Sequence, residues 1–162
     1  MKKFFLAFAA LSVSIIYAND QILSYSPAED SNVGWERQSY PVGCGYFGAN
    51  VFGIVGNERI QITHNALHIP DPKNKKIALT NALEIRLKTD HTNETNYARA
   101  LDLDRAVTWT KYTVNEVNYR REVFASYPDK VLVIHLSADK KGALNFALKP
   151  YAPLQKKYSR DS

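Results

Sequence analysis

Apolar and polar side chains alternate along one short segment after another between residues 82 and 149, and no segment there has the period of a helix. Turn-forming pairs such as Pro128-Asp129 and Lys141-Gly142 bound these segments. Strands at intervals of about 10 to 14 residues, joined by turns, are typical of an antiparallel sandwich. We therefore predict an all-β fold, an antiparallel β-sandwich. The predicted strands are 82–88, 97–104, 106–114, 117–126, 131–137 and 144–149.

The region before residue 82 also has strand character, interrupted by glycine and proline. Residues 22–26 are a candidate first strand, and the apolar run at 51–55 is typical of a strand buried on both faces. Gly56-Asn57 is a turn signal that leads into the alternating residues 59–63, which predicts a hairpin. The polar and proline-containing residues 65–76 are predicted to form a loop.

The first 18 residues have the three parts of a secretory signal peptide. Lys2 and Lys3 precede an apolar run at 4–16, and the small residue Ala18 precedes a polar pair. The run of about 13 apolar residues is shorter than the roughly 20 that a spanning helix needs. We predict cleavage after Ala18, a mature chain of residues 19–162 without a membrane anchor, and export to the periplasm or the extracellular space.

Charge and cysteine content exclude several classes of function. The formal net charge is +5, and no basic cluster occupies one face of a periodic segment, so we expect no nucleic-acid partner. Cys44 is the single cysteine and has no partner at a zinc-ligand spacing, so we expect no disulfide, no metal and no other cofactor. Gly43-x-Gly45-x-x-Gly48 has the spacing of a dinucleotide-binding loop, but strand-like residues follow it, which favours a tight backbone turn.

Three parts of the chain together form a recognisable pattern: Trp35 followed by the glycine-rich segment 41–53, the segment 58–62 and, most specifically, the block 97–148. This pattern resembles the N-terminal β-sandwich domain of glycoside hydrolase family 95, the family of inverting α-L-fucosidases and their relatives. The chain departs from the family at two positions. Cys44 stands where the family usually has Asn.

The second position is His68, which takes the place of a family Trp. In addition, a helical segment of the family is missing between residues 72 and 82. The resemblance implies that the catalytic groups lie on a downstream (α/α)₆ barrel, so no catalytic residue is expected in this chain. Residues 19–162 would be part of a super-sandwich, incomplete at the C-terminal end. The expected partners are that barrel and, through it, a glycan. A stand-alone carbohydrate-binding or structural sandwich is the alternative.

Three neighbouring polar residues are the candidates for contact with a glycan. His64, Asn65 and His68 lie at the end of a predicted strand and in the loop that follows. The resemblance implies that this loop runs towards the barrel, where these side chains would touch sugar. Their alternative role is that of ordinary loop or interface residues.

Two carboxylates, Asp102 and Asp104, have the spacing of a pair on one face of a strand. Residues two apart on a strand are separated by about 7 Å, which suits the two groups of an inverting hydrolase. A solvated strand face, with Arg99 and Arg105 as partners, is the alternative.

Aromatic side chains on neighbouring predicted strands could also stack on a sugar ring. These are Trp109, Tyr112 and Tyr119, for which packing in the core or against the barrel is the alternative. Of the remaining histidines, His91 is predicted in a polar turn, and His135 is predicted to be a hydrogen-bonded or surface-facing residue of an apolar strand.

Overall fold

The computed structural model of the protein describes residues 22–24, 30–71 and 76–152, without the side chains of residues 68–71 and 76–80. The predicted signal peptide, residues 1–18, lies outside the described residues. The elements in chain order are β1 (Ile22–Ser24), α1 (Asn32–Arg37), β2 (Tyr40–Gly43), β3 (Phe47–Val51), β4 (Asn57–Asp71), β5 (Lys76–Lys88), β6 (Thr95–Asp102), β7 (Val107–Val114), β8 (Val117–Ser126), β9 (Val131–Ala138) and β10 (Ala147–Tyr151).

The described strands form two five-stranded sheets. The order in sheet A is β1-β6-β7-β8-β9, and the order in sheet B is β10-β5-β4-β3-β2. All pairings between the described strands are antiparallel. The two sheets pack face to face, which confirms the predicted all-β antiparallel sandwich.

Alternate residues of each sheet point to the interior and form the core. Val42, Val51 and Ile60 of sheet B pack with Val123 of β8 in sheet A. A second cluster is centred on β7 and β8, and its buried members are Tyr112, Val114, Val117 and Tyr119. The residues between these inward positions therefore face outwards, and they supply the surface features of the two sheets.

The hairpin β4–β5 is longer than the sequence predicted. β4 runs to Asp71 and β5 begins at Lys76, so the prediction of a loop at 65–76 is wrong except for residues 72–75, which lie outside the described residues. The register between the two strands shifts after Ile62, which marks an irregularity in the hairpin. A second shift lies between Thr63 and His68, and from His68 to Asp71 the two strands again pair residue by residue.

Proline does not end β4, because of where it lies in the sheet. Pro70 pairs with Ile77 of β5, whereas β3 pairs with β4 only as far as His64. Beyond His64, no described strand pairs with the other side of β4. Proline is tolerated at such an edge because its missing N–H breaks no ladder hydrogen bond.

The link between β3 and β4 also differs from the prediction. β3 ends at Val51, and the apolar residues 52–55, which we predicted as strand, lie outside both strands. Gly53 and Gly56 have φ angles of +78° and +76°, which no regular strand contains. The predicted hairpin is nevertheless confirmed, because β3 and β4 pair antiparallel.

The short helix α1 was not predicted. Its N-cap is Ser31, whose side chain accepts a hydrogen bond from the backbone N–H of Gly34 at 3.1 Å. A six-residue helix is too short to show a helical period, so the sequence pattern does not reveal it. Within the described ranges, no helix has the length and apolar character needed to cross a membrane.

Candidate functional site

The outer face of sheet B carries a groove of about 590 Å³ between α1 and the strands β2 to β5. Half of its lining residues carry uncharged polar side chains, and the others are apolar residues or glycine, among them one tryptophan. The lining residues are Asn32, Trp35, Pro41, Val42, Gly48, Ala49, Asn50, Gln61, Thr63 and Asn81. A smaller depression of about 230 Å³ shares Gly48 and Thr63 with the groove and extends the concave surface to Asn65.

Strand alternation explains why amides line this groove. On β3 the buried residues Ala49 and Val51 face the core, so Asn50 between them faces outwards. Asn50 is paired with Gln61 of β4 across the sheet. Gly48 is paired with Thr63, and because Gly48 has no side chain the surface is concave at that pair.

Several polar groups of the groove keep their hydrogen-bonding capacity. Within the part of the chain that the structure describes, the side-chain amides of Asn32 and Asn50 form no hydrogen bond with the protein. The amide nitrogen of Gln61 donates to Glu84 Oε2 at 3.4 Å, which leaves its carbonyl oxygen to accept. Asn81, in the amide orientation that its neighbours favour, donates to the carbonyl oxygens of Ile62 and Leu83 at 3.3 and 2.9 Å.

Trp35 stands at the rim of the groove on α1. Its relative exposure is 44%, whereas Gly34 beside it is buried. The helix holds the tryptophan in place through the Ser31 cap and through Ser39, whose hydroxyl donates to the carbonyl oxygen of Trp35 at 2.7 Å. A partly exposed aromatic side chain thus lies next to a concave surface that carries several amide groups.

An ion-pair network borders the groove beyond Gln61. Asp30 accepts from Arg86 at 2.6 Å and from Arg59 at 2.9 Å, and Glu84 accepts from Arg86 at 2.7 Å and from Arg59 at 3.0 Å. The hydrogen bond from Arg86 lowers the pKa of Asp30. Burial acts to raise the pKa of Glu84, but hydrogen bonds and charges from Arg86 and Arg59 outweigh it, so the net pKa is lowered. Each charge of the network therefore has a partner of opposite sign.

The Glu84 pKa predicts a pH-dependent stability. Since the folded-state pKa is below the ordinary value of 4.5, the contribution of the carboxylate is present above about pH 4.5 and is lost as the pH falls below it. We expect Glu84→Gln to lower the free energy of unfolding by about 1–2 kcal/mol at pH 7 and by much less at pH 3. Urea unfolding at both values measures this, with Glu94→Gln, a change at an exposed position, as the control. An equal loss at pH 3 and pH 7 would contradict the assignment.

Of the three predicted glycan contacts, Asn65 and His64 have described side chains, and only Asn65 lines a depression. Asn65 is exposed, donates from its amide nitrogen to Gly45 O at 2.9 Å and lines the smaller depression. His64 has the same parity on β4 as the buried Ile60 and accepts at Nδ1 from the N–H of Ala66, so it is not a lining residue. His68 is in strand β4 rather than in the predicted loop, where it pairs with Leu79, and its side chain lies outside the description.

The predicted carboxylate pair is not a pair on one strand face. β6 ends at Asp102, and Asp104 lies in the turn that follows, so their spacing of two does not align them. Asp102 instead accepts a hydrogen bond from the backbone N–H of Arg105 at 3.0 Å, with the Arg105 guanidinium at 4.0 Å. The alternative is confirmed for Arg105. Arg99 is buried, and its guanidinium donates to the carbonyl oxygens of Phe52 and Gln38.

The predicted aromatic residues divide between the two faces of sheet A. Tyr112 and Tyr119 are buried and stack with their ring centroids 5.3 Å apart, so core packing is their role. His91 belongs to the same cluster, and its Nδ1 lies 2.9 Å from the Tyr112 hydroxyl. Burial lowers the pKa of His91. Trp109 is half-buried on the outer face, 4.9 Å from the ammonium group of Lys111. 

His135 is exposed, in agreement with its prediction as a surface-facing residue, with Nδ1 3.2 Å from a carboxylate oxygen of Glu122.

The residues that line the groove, Trp35 and Asn50 above all, were not predicted as site residues. The sequence signal for this site was the amide of Asn50, which lies at an outward position between the apolar inward residues Ala49 and Val51. In the described ranges, no group of three or more His, Cys, Asp or Glu side chains is arranged to hold a metal ion.

Two comparisons with known proteins match this chain. The sequence model of the family described as "Glycosyl hydrolase family 65, N-terminal domain" matches residues 63–161. The chain is also similar to Alpha-L-fucosidase 2 of Arabidopsis thaliana, with 26% identity over 145 residues. That similarity covers 65% of this chain and 17% of the relative, so the chain spans only a small part of the relative's length.

The two-sheet sandwich and the matched segment define the class of the protein, a non-catalytic sandwich domain of glycoside hydrolases. The chain belongs to the family of glycosyl hydrolase family 65 N-terminal domains. This confirms the predicted glycoside hydrolase sandwich. The finer assignment to family 95 stays a prediction.

Proposed function

We propose that this chain is the N-terminal sandwich of an exported glycoside hydrolase that acts on α-L-fucosides, and that hydrolysis takes place on a downstream (α/α)₆ barrel. The family membership carries this proposal, and the similarity to Alpha-L-fucosidase 2 supports the choice of sugar. The sandwich would buttress the barrel and shape one rim of its site. Its partners would be the barrel and, through it, the glycan.

The positions of the carboxylates agree with a non-catalytic role. General acid–base hydrolysis needs two groups that flank the glycosidic bond and leave room for a water. Glu58 is 0% exposed and is bound to backbone N–H groups and Arg121, so no substrate can reach it. Glu84 and Asp30 are held by arginines, and Asp102 is bound in a turn.

A hydrolysis assay tests the proposed division of labour. We expect the chain alone to release no nitrophenol from 4-nitrophenyl α-L-fucoside, and the protein encoded by the complete reading frame to release it. Hydrolysis by the chain alone would contradict the proposal. So would a reading frame that ends after Ser162, which would favour the stand-alone carbohydrate-binding sandwich suggested by Trp35 and the amides of the groove.

Export is tested separately, by the N-terminal sequence of the protein recovered from the periplasm or the medium of its own cells. The signal-peptide pattern predicts Asn19 as the first residue of the mature protein. Recovery of the protein in the cytoplasm with residues 1–18 intact would contradict export and leave the hydrolase proposal untouched.

A further inference from the structure

The geometry points to a second role for this domain: the groove on the outer face of sheet B binds a neutral sugar ring, which stacks on Trp35 and forms hydrogen bonds with the amides beside it. The inference rests on the proposed function in one respect, namely that the ligand is a carbohydrate. The shape, polarity and charge of the groove supply the rest.

The first argument is the exposed tryptophan. Trp35 is one of two tryptophans in the chain, and with a relative exposure of 44% a large part of its surface is open to solvent. Sites for small ligands are concave and combine aromatic side chains with a few placed polar groups. Trp35 borders a groove of about 590 Å³, within the usual range of ~300–1,000 Å³ for such sites. A flat indole face next to the groove suits the apolar face of a pyranose ring.

The second argument is the hydrogen-bonding chemistry of the groove floor. A sugar hydroxyl both donates and accepts, and a carboxamide offers two donors and an acceptor. Asn50 and Gln61 are neighbours across β3 and β4, and Thr63 follows on the same face as Gln61. The amide of Asn50 has no protein partner in the described part of the chain, so its donors and acceptor remain for a ligand.

The third argument is charge. None of the lining residues of the groove is charged. Glu84, which Gln61 contacts, borders the groove, and Arg59 and Arg86 already neutralise its charge. An anionic ligand would lose the hydration of its charge without gaining a counter-charge, whereas a neutral sugar carries no charge to desolvate. The groove therefore favours a neutral sugar over a phosphate or an acidic sugar.

The two tryptophans make a matched fluorescence experiment possible. Trp109→Phe leaves Trp35 as the single indole, and Trp35→Phe leaves Trp109, which lies on the outer face of sheet A. Each variant is titrated with lactose and with fucosyllactose, and sorbitol serves as an acyclic polyol without a ring face. We expect a saturable change of emission for the two sugars in Trp109→Phe, and none in Trp35→Phe. Sorbitol should change neither.

A groove-filling variant tests the position of the ligand. A Cβ added at Gly48 meets only the carbonyl oxygen of Val42, at 3.7 Å, which is an ordinary contact. Gly48→Leu in the Trp109→Phe background should therefore fold and fill the floor beneath Trp35. We expect it to weaken sugar binding at least tenfold, and circular dichroism checks that the strand spectrum and the cooperative melt are kept.

The inference is overturned if Trp109→Phe shows no saturable change with either sugar up to about 50 mM, far above a millimolar dissociation constant. It is also overturned if Gly48→Leu binds as tightly as its parent, or if sorbitol reproduces the response. These outcomes are independent of the hydrolysis assay. Fucoside hydrolysis by the complete protein without binding in the groove would leave the proposed function standing and remove only this inference.

Discussion

Replacing Glu58 by alanine is expected to lower the free energy of unfolding by about 3–5 kcal/mol, the usual cost of breaking a buried ion pair from one side. Glu58 on β4 is 0% exposed and its partner Arg121 on β8 is 3% exposed. A small domain is stable by only about 5–15 kcal/mol, so the loss would remove a large share of its stability. Urea unfolding followed by circular dichroism measures it.

The size of the effect follows from how many groups depend on one carboxylate. Oε1 of Glu58 accepts hydrogen bonds from the backbone N–H groups of Phe52, Gly53 and Arg59 at 3.1, 2.9 and 3.0 Å, while its other oxygen meets Arg121. Alanine would leave the Arg121 charge and these donors without their acceptor in the interior. Because Glu58 and Arg121 belong to different sheets, the pair also joins the two layers of the sandwich.

Two further variants separate charge from hydrogen bonding. Glu58→Gln keeps an acceptor for the backbone N–H groups but removes the charge, so we expect a smaller loss than for alanine. Glu58→Leu combined with Arg121→Met removes both charges and should recover part of the stability lost in Glu58→Ala, since an apolar pair of similar size carries no unpaired charge. A free energy of unfolding for Glu58→Ala within 1 kcal/mol of the parent's would show that the pair is not a structural link.

The segment beside Glu58 was not predicted correctly from the sequence: the carbonyl oxygens of residues 52–54 accept hydrogen bonds from Arg99, Tyr97 and Arg121. The strands predicted at 106–114 and 117–126 agree with β7 and β8 to within one residue, because the β-branched and aromatic residues that are frequent in both segments favour strands. Residues 52–55 have the composition of a buried strand, yet polar side chains distant in sequence fix them in another conformation. No local pattern reports such long-range hydrogen bonds.

The candidate site was less predictable than the fold. Sequence reasoning selected Asn65 because the resemblance suggested a loop near a barrel, and the structure places that residue at the end of a concave surface. It did not select Trp35 or Asn50, since the groove exists only when α1 is placed over the strands of sheet B. Asp102 and Asp104 do not share a strand face, because the predicted strand 97–104 extended two residues into a turn.

Replacing Gly53 by alanine is expected to lower the free energy of unfolding by about 3 kcal/mol, for two reasons that add. Gly53 has a φ angle of +78°, a conformation that costs a residue with a side chain about 1–2 kcal/mol. An alanine Cβ would also lie 2.6 Å from Cδ of Arg99 and 3.1 Å from the hydroxyl of Tyr97. Forcing extra volume into a packed interior typically costs a further ~1–3 kcal/mol.

Arg99 has little freedom to move away from the new methyl group. Its exposure is 1%, and its guanidinium donates to Phe52 O at 2.7 Å and to Gln38 O at 2.6 Å, with the Tyr40 ring centroid 4.5 Å away. Displacing it would break its hydrogen bonds to the carbonyl oxygens of Phe52 and Gln38. The clash is therefore with a fixed stem rather than with the free end of a flexible side chain.

Gly142 provides the matched control, because it has the same φ angle of +78° and no atom within 4 Å of an added Cβ. Gly142→Ala should cost only the backbone term, about 1–2 kcal/mol. The difference between the two alanine variants in urea unfolding then measures the close approach of Arg99 to Gly53. If both variants lose the same stability, backbone conformation alone explains the glycine at position 53. A larger loss for Gly53→Ala means that the interior of the sandwich requires glycine there because a buried arginine fills the space that any side chain would need.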